Sequence, residues 1–99
     1  MFFQVTAHDL ITDDVFIAKY EKECSPVEQK LIEKKVDKMF LDGDAWEYFD
    51  ALQEGKDFEA SSIAAKFWNC EGLLKAMFDA GFNNCNRHNR TLNWKWEKQ

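Results

Sequence analysis

The residues able to carry nucleophilic or metal chemistry are few: Cys24, Cys70, Cys85, His8 and His88. Cys85-Asn86-Arg87-His88 forms a Cys-x-x-His pair, which is half of a tetrahedral zinc site. A second such pair is missing, so a complete site would need Cys24, Cys70 or His8 to converge on the first. With an Asp, the same side chains make a thiol nucleophile and its base only if the fold assembles them. The sequence holds no nucleophile elbow, phosphate loop or glycine-rich turn. The expectation is therefore no metal, no cofactor, no catalytic residue and no enzyme activity.

Carboxylates are the more abundant functional groups. Between positions 42 and 59 stand Asp42, Asp44, Glu47, Asp50, Glu54, Asp57 and Glu59 against Lys56 alone, a net of −6. At 100° per residue, Glu47, Asp50 and Glu54 fall within about 60° of one another on a helix. A solvated helix face with acidic first turns is the plainer account of such a run. As a site, regularly placed carboxylates imitate a row of phosphates and meet a basic surface on another protein. On that account the partner-binding residues are Asp44, Glu47, Asp50, Glu54 and Asp57.

Charge of the opposite sign collects at the end of the chain. Residues 1–82 carry a net −8, whereas residues 83–99 carry +3. Arg87, His88, Arg90 and Lys95 form the alternative, nucleic-acid-binding set. Three helices expected at 45–54, 58–68 and 71–80, then a polar loop and a strand, follow the element order of a winged helix. In that arrangement residues 71–80 would enter the major groove. They offer Glu71, Lys75 and Asp79, with no Arg, Asn or Gln to read base edges. The acidic body also opposes phosphate binding. Trp94 and Trp96, interleaved with cations, suit stacking on single-stranded bases or a protein interface. Sharing one strand face, they equally suit the core.

These groups need elements to hold them. In residues 58–80, Ala60, Ile63, Ala64, Phe67 and Trp68 form one apolar stripe at helical spacing. Cys70, Leu73, Leu74, Met77 and Phe78 form a second, with a bend between at 69–72 and Gly81 as the left-handed residue after the helix. Ser25-Pro26-Val27-Glu28 is a capping box with proline at the first helical position. It starts a helix to about Leu41 with Ile32, Val36, Met39 and Phe40 inside. Asp44 is the expected cap of the helix at 45–54, whose inner side holds Ala45, Tyr48, Phe49 and Leu52. Phe2–Thr6 reads as a strand broken at His8-Asp9. Thr12-Asp13-Asp14 reads as a start for a helix over 15–23, although Val15–Ala18 also suits a strand. Leu92, Trp94 and Trp96 alternate with polar residues, so a half-buried strand closes the chain against the first one.

Ninety-nine residues support one core, expected as a single domain over 1–99. The fold class expected is α+β, mainly α, with about five short helices and short N- and C-terminal strands. An odd cysteine count without framework spacing, and no secretory signal, point to reduced thiols in the cytoplasm. No apolar run has membrane-spanning length. The function expected is a non-enzymatic interaction module. Its acidic surface would bind, and thereby inhibit, a basic nucleic-acid-handling protein, in the manner of small acidic anti-defence proteins of mobile elements. A nucleic-acid partner is the second choice, and a homodimer is compatible with the apolar stripes.

Overall fold

A computed structural model describes residues 1–98 of the chain. It is an α+β fold of four α-helices and a three-stranded antiparallel sheet. The described backbone divides into two compact units, residues 1–23 with 75–98, and residues 24–74.

The first unit is built on the sheet. Strand β1 (Phe2–Asp9) lies between β2 (Val15–Glu21) and β3 (Arg90–Glu97), antiparallel to both. Register places Phe3 opposite Tyr20 and Trp96, Val5 opposite Ala18 and Trp94, and Ala7 opposite Phe16 and Leu92. Side chains alternate across a strand, so these residues share one face. Phe3, Val5, Ala7 and Ala18 are buried there and the rest half-buried. The Phe3 and Trp96 rings lie 4.4 Å apart, and Phe16 meets Phe82 edge to face at 6.4 Å. The opposite face carries Gln4, Thr6 and His8 beside Ile17, Lys19, Asn93 and Lys95. The first and last strands pair as their patterns predict.

The segment expected as a helix over 15–23 is instead β2, which leaves four α-helices rather than five. Phe16, Ala18 and Tyr20 turn inward while Val15, Ile17, Lys19 and Glu21 stay exposed, the period of a strand. The preceding residues make a turn and not a helix start, because Asp9 organises them. Its carboxylate Oδ1 accepts from the backbone N–H of Ile11 at 2.8 Å and of Thr12 at 3.1 Å. Asp13 takes a left-handed φ of 67°, and its N–H donates to the Asp9 carbonyl at 2.9 Å. Asp9 therefore ends β1 as a buried turn former, three residues beyond the expected end at Thr6.

The second unit is helical. Ser25 caps α1 (Pro26–Leu41): its Oγ accepts from Glu28 N–H at 3.3 Å, and Glu28 Oε1 accepts from Ser25 N–H at 3.2 Å. Such a cap contributes about 1 kcal/mol. Ile32, Val36, Met39 and Phe40 are its buried residues, as the heptad-like spacing predicts. Helix α2 (Asp44–Gln53) packs on α1 and on α3 (Asp57–Ala65). The rings of Phe40, Trp46 and Phe49 meet edge to face, at 5.8 Å and 5.5 Å between successive centroids. Gly43, with φ 82°, is the N-cap of α2; Asp44, expected there, is the first helical residue. Trp68 was expected inside the apolar stripe and is 74% exposed. The helix ends at Ala65, so the helical period no longer governs position 68. Helix α4 (Glu71–Asp79) begins in this unit and ends in the first. Among the described residues, no helix is long and apolar enough to cross a membrane.

Candidate functional site: an acidic groove between two helices

The packing of α3 on α2 collects part of the acidic run into one depression. Glu47 and Asp50 from α2, Glu54 at its C-cap, and Glu59 from α3 line a groove of about 300 Å³ together with Ala51 and Ile63. The α2 side follows from sequence. Tyr48, Phe49 and Ala51 turn one side of the helix into the core, so positions 47, 50 and 54 face outward. The α3 side depends on packing. Ala60 is buried, and Glu59 and Ile63 flank it on the same edge of the helix.

Local charges shape the groove further. Lys56, the one cation in the run, is held at the end of α2 by Glu54, with Nζ 3.2 Å from the carboxylate. That hydrogen bond and charge, with Glu59 adding to it, raise the Lys56 pKa and keep it protonated. No cation is among the groove-lining residues, and of its four carboxylates Glu54 is the one paired with Lys56. Two effects make this arrangement tolerable: exposure of Glu47 and Glu54 to solvent, and the position of Glu47 and Glu59 in the first turns of their helices, where the backbone dipole favours a carboxylate.

Of the five residues expected to bind a partner, Glu47, Asp50 and Glu54 come together. Asp44 does not join them. It lies 3.5 Å from Lys66 Nζ and lines a separate depression of about 260 Å³ with Lys35, Lys38, Asp42, Lys66 and Phe67. Asp57 is exposed at the start of α3, outside the groove lining. Glu59 and Ile63 replace them. Glu59 was visible as a charge in the acidic run, but its alignment with α2 is a property of the helix pair.

Beside the groove lies an apolar ledge. Phe58 is 86% exposed and, with Glu59, Ser62, Ile63 and Lys66, lines a depression of about 320 Å³. Ser62 Oγ donates to the Phe58 carbonyl at 3.0 Å, which holds its hydroxyl against the helix. Glu59 and Ile63 border both depressions. The helical period carried the signal for this ledge: Phe58 sits about 160° around the wheel from buried Ala60.

The basic residues divide differently. Arg87 and His88 are exposed in the loop before β3. That loop is tied down by Asn86, whose Oδ1 accepts from His88 N–H and Asn89 N–H, each at 2.8 Å, and whose own N–H donates to Asp9 Oδ2 at 2.9 Å. Arg90 is half-buried, its pKa lowered by burial, and its guanidinium donates to the Arg87 carbonyl. Lys95 is 2.9 Å from Glu97 and holds that carboxyl below its ordinary pKa. Lys75 and Asp79, on the helix considered for the major groove, form a pair at 2.6 Å. The strand that follows this helix completes a sheet with β1.

Cys85 is buried, and burial together with the Asp9 charge pushes its thiol pKa up. A thiol held protonated is a poor nucleophile and a poor metal ligand. His88, three positions on, faces solvent. Among the described residues, no group of three or more His, Cys, Asp or Glu is placed to hold a metal ion. Comparison with protein-family models, with curated proteins and with solved structures finds no match to this chain.

Proposed function

We propose that this chain is a non-enzymatic interaction module whose acidic groove receives a basic segment of a partner protein. Occupying that segment would inhibit a partner that uses it to handle nucleic acid. The observation that supports this is the convergence of Glu47, Asp50, Glu54 and Glu59 on one groove bordered by two helices. Four carboxylates around a shared space, one of them paired with Lys56, leave a net negative local potential that selects cations and speeds their approach. Glu47, Asp50 and Glu59 stand on helices and Glu54 caps one, so binding needs little ordering of their backbone.

The test compares two double charge reversals of equal net charge. Glu47→Lys with Asp50→Lys alters the groove; Asp37→Lys with Glu71→Lys alters exposed positions outside it. The probe is a fluorescein-labelled nona-arginine peptide, followed by anisotropy over a salt series. The groove variant is expected to lose at least tenfold in affinity and the control variant much less. Equal losses would reduce the effect to net charge and refute a site. Duplex DNA is titrated in parallel. Micromolar, salt-sensitive DNA binding that disappears with Arg87→Ala and Arg90→Ala would replace this function with nucleic-acid binding through the basic loop.

A further inference from the structure

We propose that the Phe58 ledge is the second half of the same docking surface, and that its occupant is a basic amphipathic helix whose apolar face is the anchor. This inference rests on the proposed function and specifies the chemistry of the partner. Phe58 is the most exposed large apolar side chain described, and Ile63 extends its apolar surface to the groove. Single exposed apolar residues are ordinary on protein surfaces. Here the apolar ledge and the acidic groove share two lining residues, Glu59 and Ile63. A ligand covering the ledge therefore brings its neighbouring residues over the carboxylates.

Charge decides among the occupants. A second copy of this chain, paired through this surface about a two-fold axis, would bring one acidic groove up to the other. Such like-charge contact opposes association. Nucleic acid and anionic lipid surfaces are repelled for the same reason. A protein segment with cations beside an apolar face satisfies both halves at once, the apolar face covering Phe58 and Ile63. A helix meets this requirement with the smallest ordering cost, because positions three and four apart lie together on one side. Lys66 bounds the ledge. The partner's cations accordingly lie to the α2 side of its anchor, away from Lys66.

The experiment uses the full chain and two acetylated, amidated probe peptides of about 14 residues, a length at which helix formation is marginal alone. Both contain the same leucines and lysines. One has leucines at helical spacing on a single face and the other has them scattered. The patterned peptide is expected to bind about tenfold more tightly, equivalent to 1.4 kcal/mol. Phe58→Ala should abolish that preference while leaving the scattered peptide unaffected. The Glu47→Lys, Asp50→Lys variant should weaken both. Phe58 is largely exposed, so its replacement leaves the fold intact, which helical circular dichroism verifies. Equal affinity of the two peptides for the native chain, or an unchanged preference in Phe58→Ala, would overturn the ledge as an anchor site. If the groove variant weakened neither peptide, the proposed function itself would fall, whatever Phe58→Ala showed.

Discussion

Replacing Phe49 tests the physical basis of the acidic face, because this residue anchors α2 from the side opposite Glu47, Asp50 and Glu54. Phe49 is completely buried. Its ring meets Trp46 edge to face at 5.5 Å and Tyr48 at 6.2 Å. Two such aromatic pairs contribute about 0.5–1.5 kcal/mol each beyond the area they bury. Removing a buried phenyl group and leaving a cavity costs about 3–5 kcal/mol in total. A chain of this length has a stability of roughly 5–15 kcal/mol, so Phe49→Ala removes a large share of it. Phe49→Leu, which keeps much of the apolar volume but loses both ring pairs, should cost about 1–3 kcal/mol. Urea unfolding followed by circular dichroism measures both. The alanine variant should melt at least about 12 °C lower, at 4 °C or more per kcal/mol. It should also lose peptide binding in proportion to its unfolded fraction, whereas the leucine variant binds normally. A cost below about 1.5 kcal/mol for Phe49→Ala would refute the aromatic cluster as the support of α2. A double-mutant cycle with Trp46 that showed no coupling would refute the ring contact alone.

The turn former and one glycine offer two further tests. Asp9 accepts from the N–H groups of Thr12, Ile11 and Asn86, and these bonds hold its carboxyl below the ordinary value of 3.8. The folded pKa is the lower one. Stability from these bonds is therefore complete above the unfolded value and is lost as pH falls through the folded one. The urea midpoint should drop below pH 4 in the native chain. Asp9→Asn, which turns an amide NH₂ toward one of the donors, should be less stable at pH 7 and lose less of its stability on acidification; an undiminished acid response would refute the assignment. Gly81 has φ 90°, and an added Cβ would lie 3.3 Å from Phe16 Cδ1. Gly81→Ala should cost about 1–2 kcal/mol from the left-handed backbone alone, with the Phe16 contact adding to it. A neutral result in thermal unfolding would refute both effects.

Sequence carried the local elements well and their partnerships poorly, for physical reasons visible at particular residues. The capping box at Ser25 and Glu28 and the left-handed Gly81 satisfy rules that involve only neighbours in the chain. Leu92, Trp94 and Trp96 announce a strand by alternation. Val15–Tyr20 was misleading. Its contiguous apolar residues lack a decisive period, and Thr12-Asp13-Asp14 has the composition of a helix cap. What selects the hairpin is Asp9, whose buried carboxylate binds N–H groups on two loops, one of them 77 positions away. No local pattern contains that bond.

The candidate site obeys the same division. Glu47, Asp50 and Glu54 were legible together because one helix fixes their spacing. Asp44 and Asp57 have the same charge and stand close in sequence, yet Asp44 is turned toward Lys66 and Asp57 stays at a helix start outside the groove. Charge density along the chain therefore overstates the site at its ends and misses its far wall. Glu59 and Ile63 become part of it only when Ala60 is buried and α3 settles on α2. A change that weakens this helix pairing, such as Ala60→Glu, would consequently disperse the groove even though it adds a carboxylate to the run. Affinity for a basic probe should fall in that variant, because convergence of the charges, and not their number, is what the groove supplies.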